Sequence, residues 1–196
     1  LPKEAIKGIV KQTENLRSQV AKNACMTVQV IYQELPTRDL DSNVDLVMGA
    51  LLKAATHTNH FISEQAQKAL TMVCHAASEG KVLHSLQSVD GRSNVLKAKI
   101  AFCYTTLVEK LGSRIKSYRD SGRLIRALCG MLEEAALEVR NQAKAGIIGV
   151  HSNLENQRDF DTLLIKSALS EKQMAQVRKI VSQGDAGLSN PNQTTR

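Results

Sequence analysis

The sequence contains no tryptophan, and aromatic residues make up only 3% of its 196 residues. Hydrophobic residues nevertheless account for 42% of the chain, a share that excludes disorder throughout its length. The core must therefore be built from Leu, Ile, Val, Ala and Met side chains. Small aliphatic cores of this kind suit closely stacked helices.

Proline is also scarce, with three residues at Pro2, Pro36 and Pro191. Proline breaks helices more strongly than any other residue. The long stretches without it are therefore free to form helices, and a sheet-rich fold is disfavoured. We expect an all-α protein.

The four cysteines have no C-x-x-C spacing and lie within apolar helical patterns, at Cys25, Cys74, Cys103 and Cys129. Free cysteines in such positions behave as small buried hydrophobes, which predicts a reducing compartment. No apolar run approaches the roughly 20 residues that a membrane-spanning helix needs, and the N-terminal residues lack a signal-peptide pattern. We therefore expect a cytoplasmic location and no membrane partner.

The formal net charge is +7, which favours an acidic partner: nucleic acid, an anionic membrane or an acidic protein surface. A nucleic-acid site would interleave aromatic residues with the basic ones for base stacking, but Tyr118 stands alone in the densest basic stretch. Solvated helix faces account for part of that stretch, and an acidic protein is the simplest partner for the rest. Its basic residues are Lys110, Arg114, Lys116, Arg119, Arg123 and Arg126.

Motifs for catalysis or metal binding are incomplete. Gly80 and Lys81 resemble the end of a phosphate-binding loop, but position 75 is not glycine and position 82 carries no hydroxyl. His57 and His60 have no cysteine pair or second histidine pair at the spacing of a zinc site. We therefore expect no enzymatic activity, no metal site and no cofactor.

Apolar residues at i, i+4 and i+8 recur in four segments that begin near Leu16, Ile62, Leu96 and Val139. The segments start roughly 34 to 46 residues apart, close to the period of two-helix HEAT or armadillo repeats. The predicted inward frame is Leu16, Val20 and Ala24; Ile62, Ala66 and Leu70; Leu96, Ile100 and Tyr104; and Val139, Ala143 and Ile147.

Each of the four segments would form the first helix of a two-helix repeat. The second helix of each repeat is predicted over 43–55, 81–88, 118–134 and 159–168; we call these the partner helices. Ser42 and Ser117 are the predicted N-caps of two partner helices, and Ser170 with Gln173 has the spacing of a capping box at a last short helix. The turns within the pairs are 35–40, 77–80, 112–116 and 151–158, and in a stacked array they would lie along one edge. Residues 1–183 are thus predicted to form one HEAT-repeat domain, followed by a disordered polar tail over 184–196.

The segment 15–25, Asn-Leu-Arg-Ser-Gln-Val-Ala-Lys-Asn-Ala-Cys, and the similar segment 137–143 resemble TOG domains of the CLASP and crescerin group of microtubule regulators. The resemblance spans about 5–180. It implies an α-solenoid in the form of a flat paddle, whose turns within the helix pairs bind tubulin or microtubules. The positions that it assigns to tubulin binding are Thr37, Arg38, Ser78, Lys81, Arg114, Lys116, Asn153 and Arg158.

The resemblance also implies a monomeric domain within a larger cytoskeletal or ciliary protein. The first helix pair departs from the family, because only its second helix, 2–11, is present and no tryptophan fills the usual anchor position in its turn. A HEAT or armadillo adaptor that binds a protein or peptide along its helical face is the alternative. Basic residues in the turns favour tubulin, whereas basic residues on a concave helix face favour the adaptor.

Overall fold

A computed structural model describes residues 3–188, with the side chains of residues 3–183. Within this part of the chain every regular element is helical, with eleven α-helices and two 3-10 turns. The chain divides into two compact units, Leu1–Lys110 and Leu111–Arg196. The predicted all-α, HEAT-like repeat fold is confirmed.

The first unit consists of helix pairs that follow one another along the chain. Helix α2 packs against α1 and α5, while α4 packs against α1, α5 and α6. The elements of this unit are α1 (Lys3–Gln12), α2 (Ser18–Glu34), α3 (Thr37–Leu40), a 3-10 turn (Asp41–Asn43), α4 (Val44–Ala55), α5 (His60–Ala76), α6 (Glu79–Ser88) and α7 (Asn94–Leu111).

The second unit repeats the same local pattern. Helix α9 packs against α8, α10 and α11, and α10 also packs against α8. Its elements are a 3-10 turn (Gly112–Lys116), α8 (Ser121–Met131), α9 (Leu137–Ser152), α10 (Gln157–Lys166) and α11 (Glu171–Leu188). The predicted partner helices thus correspond to α4, α6, α8 and α10.

The predicted inward frame holds in α5, α7 and α9, where all its residues are buried except the half-buried Leu96. In α2 the prediction is partly wrong: Ala24 is buried as predicted, but Val20 is only half-buried. Leu16 precedes the helix and is fully exposed, and Ala21 rather than Val20 faces the core. The apolar spacing that includes Leu16 begins before the helix does, and the buried face of α2 also contains Ala21 and Cys25.

The predicted caps at Ser42 and Ser117 are also wrong. Helix α4 starts after Asn43 and α8 starts after Asp120, in both cases without a side-chain cap. The Ser42 hydroxyl accepts a hydrogen bond from Asn43 Nδ2 at 3.1 Å instead. The 3-10 turn Asp41–Asn43 leads directly into α4. Before α8, the Ser121 N–H donates to the carbonyl oxygen of Tyr118 at 3.2 Å.

The capping box at Ser170 and Gln173 is confirmed. The Gln173 N–H donates to Ser170 Oγ at 3.3 Å, and the Ser170 N–H donates to Gln173 Oε1 at 3.1 Å. The helix that it starts, α11, continues to Leu188 and therefore enters the segment 184–196 for which a tail is predicted. Gly184 costs a helix about 1 kcal/mol relative to alanine but does not by itself end it. The rest of the predicted tail, 189–196, lies outside the described residues, and a single domain over 1–183 stays a prediction.

Ala66 and Ala143 occupy equivalent positions on α5 and α9, and both are completely buried. We expect Ala66→Leu and Ala143→Leu each to lower the free energy of unfolding by roughly 1–3 kcal/mol, because a closely packed core has no room for a larger side chain. Ala145, which is exposed on α9, supplies the control Ala145→Leu, which should leave stability within about 0.5 kcal/mol. Denaturant unfolding measures all three, and equal stability of the buried and exposed variants would refute the packing assignment.

Gly112 adopts a positive φ of 50° where α7 ends, and a Cβ added there would meet no neighbouring atom within 4 Å. We expect Gly112→Ala to destabilise the protein by about 1–2 kcal/mol through backbone conformation alone. Gly130 within α8 is equally uncrowded and has ordinary helical backbone. The matched change Gly130→Ala should stabilise by about 0.5–1 kcal/mol, so thermal melts of the two variants should shift in opposite directions.

Candidate functional site

The eight residues predicted for tubulin binding all lie in or beside the turns within helix pairs. Thr37 and Arg38 are in the α2–α4 turn, Ser78 is in the α5–α6 turn, and Lys81 lies in the first turn of α6. In the second unit, Arg114 and Lys116 belong to the 3-10 turn before α8, Asn153 follows α9, and Arg158 is the second residue of α10. Their role in binding stays a prediction. Some of them make contacts within the protein, and the others are exposed to solvent.

In the α2–α4 turn, the two predicted residues have different environments. The Thr37 hydroxyl donates a hydrogen bond to the carbonyl oxygen of Ala76 at 2.9 Å, at the end of α5. The Arg38 side chain is 89% exposed, and its Nε lies 3.5 Å from Asp39 Oδ1. Thr37 therefore joins two turns, whereas Arg38 extends into solvent.

The α5–α6 turn is held by side chains from both neighbouring segments. The Asp41 carboxylate accepts the Ser78 N–H at 2.8 Å and the Ser78 hydroxyl at 2.5 Å. From α7, Lys110 Nζ donates to the carbonyl oxygen of Ala77 and lies 3.6 Å from Glu79 Oε1. The hydroxyl of Ser78 is thus used inside the protein, while Lys81 is exposed one helical turn further on.

In the second unit, Lys116 is paired in a similar way. Its Nζ lies 2.7 Å from Asp159 Oδ2, and this hydrogen bond raises the pKa of Lys116 above its usual value. Asn156 Oδ1 accepts the Asp159 N–H at 2.9 Å and caps α10. Asp159 thereby connects the turn before α8 with the start of α10.

Of the other three predicted residues in the second unit, one is half-buried and two are exposed. Asn153 is half-buried at the C-terminus of α9, and its N–H donates to the carbonyl oxygen of Gly149 at 3.1 Å. Arg114 and Arg158 are exposed. Exposed cations therefore lie in or beside the turns of each unit: Arg38 and Lys81 in the first, Arg114 and Arg158 in the second.

The dense basic stretch from Lys110 to Arg126 is largely engaged within the protein. Besides Lys110 and Lys116, Arg123 pairs with Asp120 at 3.3 Å, and Arg126 Nε donates to the carbonyl oxygen of Ser167 at 3.1 Å. The high density of positive charge in this part of the sequence therefore overstates the charge available to a partner.

Sequence reasoning missed Asp41, Lys110 and Asp159, the residues that tie the turns together. Their partners lie 37, 33 and 43 positions away in the sequence. Helix periodicity and capping patterns describe only neighbours within about one turn, so no local signal could identify these contacts.

The described residues, 3–188, can be compared with the requirements of a metal site and of a membrane span. No group of three His, Cys, Asp or Glu side chains in this range is arranged to hold a metal ion, and no described helix is both long and apolar enough to cross a membrane. The four cysteines are free and buried. Burial raises the pKa of Cys25 to about 11 and that of Cys129 to about 12.

The helix pairs and their turns define a HEAT-like helical repeat protein. Residues 1–168 match the family described as CLASP N terminal, and the chain belongs to this family. It is 26% identical over 185 residues to the crescerin-like protein che-12 of Caenorhabditis elegans, an alignment that covers 92% of this chain and 14% of that relative. The chain thus spans a small part of the relative's length.

Three solved structures share the fold. One comes from work on a crescerin that uses a TOG domain array to regulate microtubules in the primary cilium. It superposes with a TM-score of 0.72 at 12% identity, and the match covers 92% of this chain and 74% of that one. The MAST/Orbit N-terminal domain gives a TM-score of 0.65 at 14% identity, and the match covers 93% of this chain and 80% of that one. A structure from work on TOG–tubulin binding specificity gives a TM-score of 0.61 at 14% identity, and the match covers 90% of this chain and 66% of that one. The predicted TOG domain is confirmed.

The buried thiols generate a prediction about chemical reactivity. Because the raised pKa values leave Cys25 and Cys129 protonated at pH 8, and thiolates are the reactive form, we expect maleimide labelling of the folded protein at pH 8 to be at least tenfold slower than in denaturant. Mass spectrometry counts the labelled sites. Rapid labelling of any of the four cysteines in the folded protein would contradict their burial.

Proposed function

We propose that this chain is a non-catalytic tubulin-binding domain that engages free tubulin or the microtubule through the turns within its helix pairs. Membership of the CLASP N-terminal family supports the proposal, as do structural neighbours from work on microtubule regulation and TOG–tubulin binding. The domain acts as a monomeric module of a larger protein, at the cytoskeleton and in the cilium.

One observation on this chain carries the proposal: exposed basic side chains lie in the turns, or in the first turn of the helix that follows, in both units. Arg38 and Lys81 do so in the first unit, and Arg114 and Arg158 in the second. Cations presented in turns suit an acidic protein surface, whereas the adaptor alternative requires them along a helical face. Electrostatic complementarity of this kind speeds association and excludes wrong partners.

The proposal predicts that the triple change Arg38→Glu, Lys81→Glu and Arg158→Glu weakens tubulin binding at least about tenfold. A single exposed charge contributes only about 0.2–1 kcal/mol, but three reversals also add repulsion from an acidic partner. Lys116 is left unchanged because reversing it would place two carboxylates together at Asp159. Fluorescence titration with free tubulin and co-sedimentation with microtubules measure the affinities.

A matched control makes the same change in net charge away from the turns. Lys11, Lys144 and Lys172 are exposed at the end of α1, on α9 and on α11 respectively. Changing all three to Glu should alter affinity no more than about threefold, through the general loss of attraction. Equal losses in the two triple variants would refute the assignment to the turns. If the unaltered chain binds no tubulin, the adaptor function becomes the leading one.

A further inference from the structure

Every residue of the segment 76–79 in the first unit makes a polar contact with a side chain from another segment. The Ala76 carbonyl oxygen accepts from Thr37, and the Ala77 carbonyl oxygen accepts from Lys110. Ser78 donates both its N–H and its hydroxyl to Asp41. The Glu79 carboxylate lies 3.6 Å from Lys110 Nζ.

Asp41 provides two of these contacts. Hydrogen bonds to an ionised acceptor are shorter and about twice as strong as those between neutral groups, and Asp41 makes two of them to one residue. The Ser78 N–H lies immediately before α6, where a helix cannot supply an acceptor of its own. Asp41 therefore joins the α2–α4 turn directly to the α5–α6 turn.

Two exposed cations, Arg38 and Lys81, lie at equal distances along the chain from this contact. Arg38 lies three residues before Asp41, and Lys81 lies three residues after Ser78. Asp41 directly follows α3, which carries Arg38, and Ser78 is the N-cap of α6, which carries Lys81. Fixing Asp41 to Ser78 thus fixes the backbone that carries both cations.

We propose that Asp41 is a positioning residue that locks the α2–α4 turn to the α5–α6 turn, so that Arg38 and Lys81 meet an acidic partner as one pre-organised pair. This inference rests on the proposed tubulin-binding function. Ser78 is then the second half of the lock rather than a tubulin contact. Pre-organisation increases affinity because less conformational freedom is lost on binding.

The first experiment measures the lock without any partner. Amide hydrogen exchange of Ser78, followed by NMR, should accelerate roughly ten- to a hundredfold in Asp41→Ala, because its N–H loses a charged acceptor. Ser78→Thr keeps both donors and should retain the slow exchange. Asp45 is exposed in the first turn of α4, and Asp45→Ala serves as the control that should leave the Ser78 amide protected.

The second experiment measures affinity for free tubulin. Removing a negative charge beside the turns would by itself strengthen binding to an acidic partner, so Asp45→Ala should bind as well as the unaltered chain or better. Asp41→Ala makes the same change in charge but should bind about three- to tenfold more weakly, because the cation pair is no longer fixed. In a Lys81→Ala background, Asp41→Ala should have little further effect.

The outcomes separate the lock from the proposed function. Unchanged Ser78 exchange in Asp41→Ala would overturn the lock. Faster exchange with affinity equal to that of Asp45→Ala would overturn the positioning role while tubulin binding stands. Absence of binding by the unaltered chain would overturn the proposed function and the positioning role together. Should Asp41→Ala fail to fold, Asp41→Asn, which keeps a neutral acceptor, replaces it and should give intermediate exchange and affinity.

Discussion

The ends of helices leave backbone N–H and C=O groups that the helices themselves cannot satisfy, and the turns of this protein are organised by that constraint. In the first unit, the groups exposed where α5 ends and α6 begins are served by Thr37, Lys110 and Asp41. In the second unit, Asn156 caps α10, and Asp159 pairs with Lys116. The α5–α6 turn and the turn before α8 are therefore held in part by side chains that belong to another segment, whereas α10 is capped by its own neighbouring residue.

This arrangement divides the polar residues of the turns into those that hold the protein together and those available to a partner. The hydroxyls of Thr37 and Ser78 make internal hydrogen bonds, and Lys116 is paired with a carboxylate. Arg38 and Lys81 are exposed beside them. From the sequence alone, all five are equally good candidates for binding a partner, because all lie in or next to predicted turns. Only their long-range contacts distinguish a structural role from an available charge.

The parts of the fold that could be predicted from sequence are those encoded within one helical turn. The periodic apolar residues predicted the buried faces around Ala66 and Ala143, and the capping box at Ser170 followed from two residues three apart. In α2 the same spacing predicted the burial of Ala24 but also included Leu16, which lies before the helix begins and is exposed. The contact between Asp41 and Ser78 joins residues 37 positions apart, a distance over which a single sequence carries no pattern.

The chain has no tryptophan, the residue type that, with tyrosine and arginine, most often dominates binding energy at protein interfaces. Exposed lysines and arginines individually contribute little, and salt screens them over a Debye length of about 8 Å at physiological ionic strength. A binding edge made of such residues must therefore gain from acting together. Charges that move independently lose conformational freedom when they bind, whereas charges on a locked backbone have already lost part of it during folding. Under the proposed function, the internal hydrogen bonds of the turns contribute to binding by holding the exposed charges in place.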